Sequence, residues 1–197
     1  MSQPAIIRPP HRAEEVLAPL SESTLVLIDA QRTYTTGPLE LTGVGAAIDH
    51  AAELLERARA AGAPVIHVQH DAGPGSLFDV GGESGAFVDA LTPRESESTV
   101  VKSHPNSFFD TDLEALLGER SRPVVIAGFM THMCVDATSR AGFDLGYGVT
   151  VVGAATATRP LPGIDGEVAA DTVKAATLAA LGDSFAIVVP THDLISS

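Results

Sequence analysis

The stretch "RPVVIAGFMTHMCVDATSRAGFDLGYGVTVVGAA", residues 122–155, decides the fold. It opens on an unbroken apolar run and passes into a segment with apolar residues at helical spacing that stops on Gly146. It then returns to a second apolar run, "VTVV". Strands that carry no polar alternation are buried on both faces, which requires helices over both sides of a parallel sheet. One strand–helix–strand unit of this kind predicts an α/β domain.

The rest of the chain repeats the unit. Further strands are expected at 24–28 ("TLVLI"), 64–70 ("PVIHVQH"), 99–102 ("TVVK") and 184–189 ("SFAIVV"). With 122–128 and 147–155 they make six. Helices are expected at 46–62, 111–119, 131–146 and 165–182. The expected architecture is a three-layer α/β/α, doubly wound, six-stranded and mainly parallel sheet of Rossmann-like type. It forms a single domain over 1–197, with its core at about 22–190 and an N-terminal extension at 1–21. The one long irregular stretch, 71–98, is expected to be a lid or an interface, because loops of that length inside a domain usually serve function.

Composition bounds the function. The 197 residues, 45% of them hydrophobic, suffice for one sizeable core. A formal net charge of −13 and the lack of any basic run exclude a nucleic-acid binder, which needs clustered Lys and Arg. No apolar run approaches the ~20 residues that span a bilayer, so no membrane partner is expected. The first twenty residues lack the continuous apolar segment of a secretory signal. A single cysteine forms no internal disulfide, and a cytoplasmic setting is expected. The expected partner is a small-molecule substrate.

Three reactive side chains fall at predicted strand ends: Asp29, Lys102 and Cys134. In open parallel sheets the ligand crevice lies beyond the carboxyl ends of the strands. The first, third and fourth strands are therefore expected side by side at the centre, converging on one cavity. Taken singly, Asp29 reads equally as a turn cap, Lys102 as a solvated charge and Cys134 as a core thiol. Together they suit nucleophilic catalysis. A helix start and a nearby ammonium lower a thiol's pKa, so Cys134 is expected to be a partial thiolate. A carboxylate within reach shuttles the proton, and backbone N–H groups at the corner receive an oxyanion.

The segments "LVLIDAQ" (25–31), "VVKSHPNSFFDTDLEALL" (100–117) and "VVIAGFMTHMCVDATSRAGFDLGYGVTVV" (124–152) resemble, in order, the isochorismatase-like cysteine hydrolase superfamily, which includes nicotinamidases, N-carbamoylsarcosine amidohydrolases and ureidoacrylate hydrolases. The resemblance implies a triad of Asp29 as proton shuttle, Lys102 as charge partner and Cys134 as nucleophile. It also implies a cis Phe129–Met130 peptide, an oxyanion hole from the N–H groups of Met130 and Cys134, and Gln31 near the substrate. Relatives usually assemble, so a homo-oligomer, dimer or tetramer, is expected. The zinc-type Asp-x-His of nicotinamidases is missing after the second strand, where the chain reads "HVQHDAGPG" (67–75). No metal and no cofactor is expected. The implied activity is hydrolysis of a small amide, ureide or related C–N bond through a thioester. Alternatives are isochorismatase-type vinyl-ether hydrolysis, which needs no thiol, and a non-catalytic ligand-binding member.

The remaining candidates are weaker. His70 lies near a strand end and either lines the pocket or belongs to the sheet. His104, before Pro105, faces the pocket or forms the turn. Phe108 and Phe109 pack a helix start, or one of them closes the pocket. His67 reads as a sheet residue, His132 as exposed and His192 as a turn residue. "GVGAAI" (43–48) lacks the third glycine of a dinucleotide loop, and neither G-x-S-x-G nor H-E-x-x-H occurs.

Overall fold

The computed structural model describes residues 16–197, so most of the expected N-terminal extension lies outside the described residues. In chain order the main elements are β1 (Thr24–Ile28), α1 (Val44–Ala60), β2 (Val65–His70), β3 (Ser98–Lys102), α2 (Leu113–Leu117), β4 (Val124–Phe129), α3 (Asp136–Asp144) and β5 (Val149–Ala157). A hairpin of β6 (Leu161–Gly163) and β7 (Gly166–Val168) follows, then α4 (Ala170–Ser184) and β8 (Ile187–Val189).

Every residue of β1 is buried. Successive strand residues face opposite sides, so each side of the sheet needs its own cover. Leu25 and Leu27 pack with Val125 and Ala127 of β4 against Ala51, Leu54, Leu55 and Ala58, the apolar stripe of α1. Val26 and Ile28 pack on the other side with Ile126, Leu113, Leu117, Val135 and Leu181. The expected three layers follow from this alternation. The six strands run in the order β3-β2-β1-β4-β5-β8, and every pairing is parallel.

Three expectations need correction. β3 is an edge strand, and β2 stands between it and β1, so the strands bearing Asp29 and Lys102 are not neighbours. The helix expected over 131–146 is two pieces, a π turn at Thr131–Val135 and then α3. The helix expected from 165 begins at Ala170, because the glycine-flanked turn "GIDG" folds 161–168 into a hairpin instead.

β1 and β4 meet closely at their carboxyl ends, where Ile28 is in register with Gly128. Gly128 has φ +121°, and a Cβ there would sit 2.0 Å from the Ile28 carbonyl oxygen. The long 71–98 segment is fastened at its far end by Glu97. Arg59 Nε and Nη2 donate to its two oxygens at 2.7 and 2.8 Å, and His67 Nε2 lies 2.9 Å away. His67 is fully buried, as a sheet residue should be. No helix among the described residues is long and apolar enough to cross a membrane.

Two outcomes follow for stability. Gly128→Ala places a side chain in a glycine-only region against fixed backbone, and is expected to cost roughly 3 kcal/mol or more in denaturant unfolding. A variant within error of the wild type would show that β1 and β4 can part there. The Arg59 hydrogen bonds hold the Glu97 carboxyl down at about 2 against an ordinary 4.5. A depressed carboxyl stabilises fully above its ordinary value and loses that contribution as pH falls from 4.5 towards 2. Glu97→Gln is therefore expected to lose roughly 1–3 kcal/mol at neutral pH, a gap that narrows on acidification. A gap independent of pH would contradict it.

Candidate active site

Asp29 is the first residue beyond β1 and adopts a left-handed conformation, φ 49°, which aspartate tolerates better than most residues. Its carboxylate meets the Lys102 ammonium over the end of β2: Nζ donates to Oδ2 at 2.7 Å, and neither side chain is exposed to solvent. The long lysine stem reaches inward from the edge strand. The same Nζ lies 3.4 Å from Cys134 Sγ and 3.2 Å from His70 Nδ1. Asp29, Lys102 and Cys134 therefore share one buried cluster, with His70 beside it.

The turn before α3 delivers the thiol. The Phe129–Met130 peptide is cis, and the chain then winds as a π turn in which Val135 N–H donates to Met130 O at 3.2 Å. Single π turns recur at functional sites because they push one residue out of helical register. Cys134 and Met130 flank this corner, and Cys134 is 5% exposed.

Electrostatics overturns one expectation. Burial first, and then the Asp29 carboxylate, push the Cys134 thiol well above its ordinary range, and Lys102 only partly offsets them. These surroundings favour the thiol over a standing thiolate. Burial also raises Asp29, against the opposing pull of Lys102 and the thiol. Its Oδ1 is buried without a hydrogen-bond partner. A carboxylate with a spare oxygen and enhanced proton affinity beside a neutral thiol is the arrangement of a general base. His70 is lowered to about 4, by burial and then by Lys102, and so accepts from the ammonium as a neutral ring.

The other sequence candidates separate. The Gln31 side chain is fully committed: Nε2 donates to His70 O and Gly85 O, and Oε1 accepts from His70 N–H. It stitches β2 to the long segment and is not free to meet a ligand. Phe108 stacks on Tyr147 in the core beneath α3. His104 is exposed and packs edge-on against Phe109. His132 is half-buried, not exposed, with Nδ1 against the Thr158 hydroxyl. The 71–98 segment supplies Phe78, whose ring meets those of His70 and Tyr34 at 4.9 and 5.6 Å and helps to cover the cluster.

Two residues escaped the sequence reading. Burial first, and then the nearby Asp29 and Cys134, push the Tyr34 hydroxyl's pKa up. Arg159 follows the carboxyl end of β5, the same kind of position that marked the triad, and that signal was available. Its guanidinium has no carboxylate partner among the described residues, and its Nε is buried and unpartnered. Its one hydrogen bond among the described residues is a long contact to Pro160 O at 3.4 Å. Its charge is felt at both Tyr34 and His132.

Comparison with known proteins bears on the family and the fold. Residues 23–193 match the isochorismatase domain. The chain is 40% identical to the secreted isochorismatase effector Isc1 of Verticillium dahliae, over 90% of this chain and 92% of that one. It is 30% identical to the ureidoacrylate amidohydrolase RutB of Azorhizobium caulinodans, over 70% of this chain and 77% of that one. The crystal structure of an isochorismatase from Pseudomonas putida KT2440 superposes with a TM-score of 0.88 at 39% identity, covering 92% of this chain and 94% of that one. The matched family, the α/β fold and the ordered motifs agree, and the chain belongs to the isochorismatase-like hydrolase family.

Proposed function

We propose that this chain is a single-domain cysteine hydrolase that cleaves the C–N bond of a small, carboxylate-bearing amide or ureide. The observation that carries the reading is the buried cluster in which one ammonium lies 2.7 Å from Asp29 Oδ2 and 3.4 Å from Cys134 Sγ. As Sγ bonds to the carbonyl carbon, the thiol proton passes to Asp29 and the carbonyl electron pair moves onto oxygen. The N–H groups of Met130 and Cys134 would receive that oxyanion. Asp29 returns the proton to the departing nitrogen as the C–N bond breaks, leaving a thioester. Water then attacks, giving its proton to Asp29, and collapse restores the thiol and releases the acid. Lys102 holds Asp29 in place and offsets negative charge throughout.

Arg159 supports the anionic substrate. A half-buried guanidinium with no carboxylate partner among the described residues, in a chain of net charge −13, is suited to a ligand carboxylate. A vinyl-ether substrate is the second reading, favoured by the raised Asp29 pKa, which suits a carboxyl that donates a proton. A reducing compartment belongs to the proposal, since a nucleophilic thiol is spared oxidation there. So does assembly into a dimer or tetramer, for which the exposed Val101 and Leu116 beside the free edge of β3 offer apolar surface.

The test is a screen of small amides and ureides with and without a carboxylate, scored by ammonia or amine release. Cys134→Ser is expected to lower kcat/KM at least ~10³-fold, and Asp29→Asn by roughly 10²–10⁴-fold. Arg159→Gln should raise KM roughly tenfold or more for carboxylated substrates alone. Full activity in Cys134→Ser would sink the thioester route and leave the vinyl-ether reading. Asp29 must be ionised to take the thiol proton, so activity should fall on acidification with a midpoint above the ordinary 3.8.

The thiol itself can be titrated by iodoacetamide. Alkylation of the wild type is expected to rise only above the ordinary cysteine range of about 8.5–9. Asp29→Asn removes a negative charge and should lower that midpoint. Alkylation already rapid at neutral pH in the wild type would restore a standing thiolate.

A further inference from the structure

A second cluster of ligating side chains lies away from the triad, where the C-terminal turn packs on α1. His50 and Glu53 are three apart on the helix and so share a face, and His192 belongs to the 3-10 turn His192–Leu194. The ligand atoms of all three lie within 4.8 Å of one another. His192 Nε2 is 3.4 Å from Glu53 Oε2, and His50 Nδ1 is 4.0 Å from the same oxygen. Two ligands on one tetrahedral zinc, each about 2.0–2.1 Å from the ion, stand about 3.3–3.4 Å apart. The first pair is already at that separation, and the second needs only a small side-chain adjustment.

The three groups do not satisfy one another. No hydrogen bond joins them, and His50 Nδ1 is buried without any partner. The His192 side chain is 5% exposed, yet its Nε2 faces two carboxylates, Glu53 and Asp193, at ion-pair range. Its backbone is fixed from below, because Arg57, one helical turn beyond Glu53, donates to the carbonyls of His192 and Ile195. The imidazole is thereby held over α1 before any ligand arrives. Glu53 is exposed, which leaves its side chain room to turn onto an ion.

We propose that His50, Glu53 and His192 bind a single divalent cation of the zinc class, fastening the C-terminal turn to α1. Two imidazoles and one carboxylate select zinc over magnesium or calcium, which prefer all-oxygen shells. Water, or Asp193, completes the fourth position. The site is structural: it lies outside the Asp29–Lys102–Cys134 cluster and takes no part in the hydrolysis proposed above.

The test uses the full chain carrying Cys134→Ser, so that the triad thiol cannot bind the metal. After chelator treatment, zinc chloride is titrated by calorimetry near neutral pH and thermal unfolding is followed with and without zinc. One equivalent should bind, and Tm should rise with zinc and not with magnesium. Glu53→Gln and His50→Ala, both at solvent-accessible positions, should each weaken zinc at least ~10-fold and remove the Tm rise, with unchanged circular dichroism. Failure of the Cys134→Ser chain to bind one equivalent would overturn the proposal. So would zinc binding that survives both substitutions. Neither result bears on the amide-hydrolase reading, which the activity screen decides separately.

Discussion

The buried Asp29–Lys102 ion pair constrains everything around it. A carboxylate sealed from water without a partner costs several kcal/mol, and removal of one member of such a pair strands the other. The lysine has three N–H donors to satisfy. Three neighbours stand around it: Asp29 Oδ2 at 2.7 Å, His70 Nδ1 at 3.2 Å and Cys134 Sγ at 3.4 Å. Each comes from a different strand end, so the demands of one ammonium tie together β1, β2 and the corner after β4. His70 fits only as a neutral ring, and burial together with Lys102 keeps it so.

The same accounting explains why the long segment lies where it does. Gln31 and Gln69 are buried amides at the ends of β1 and β2, and each donates to Gly85 O at 2.8 Å. Arg32 N–H and Thr33 N–H donate to the carbonyls of Ala86 and Ser84. These bonds draw residues 84–86 against the strand ends, and the preceding stretch brings Phe78 over His70 and Tyr34. Burial of the Asp29–Lys102–Cys134 cluster is therefore a product of polar stitching at its border as well as of apolar packing.

Much of this could be read in the chain beforehand. The unbroken apolar runs gave the parallel sheet, because only strands covered on both faces tolerate them. The strand-end positions of Asp29, Lys102 and Cys134 gave the cluster. What failed were inferences that need the third dimension. Strand order cannot be derived from element order, so β3 was expected beside β1 when β2 lies between. Phe108 was read as packing a helix start or closing the pocket, and only Tyr147, distant in sequence, decides for packing by providing the ring on which it stacks. Gln31 was a ligand candidate until its amide was found spent on His70 and Gly85. The thiol was misjudged because a sequence reveals a neighbouring lysine but not the depth of burial, and here burial is the largest effect.

That depth also bears on how the proposed chemistry would be timed. Opening the site to water would let Asp29 relax towards an ordinary carboxylate, making it a weaker base. It would lower the thiol as well, but by the same solvation that weakens electrostatic interactions. With Phe78 packed on His70 and Tyr34, water is kept out and both proton affinities stay raised, so Asp29 is a stronger acceptor beside a thiol that holds its proton. Transfer then becomes favourable only when Sγ is forming a bond to carbon, because only then does the thiol acidify. On the proposed route, burial that raises the Cys134 thiol therefore ties its loss of a proton to bond formation with the carbonyl carbon.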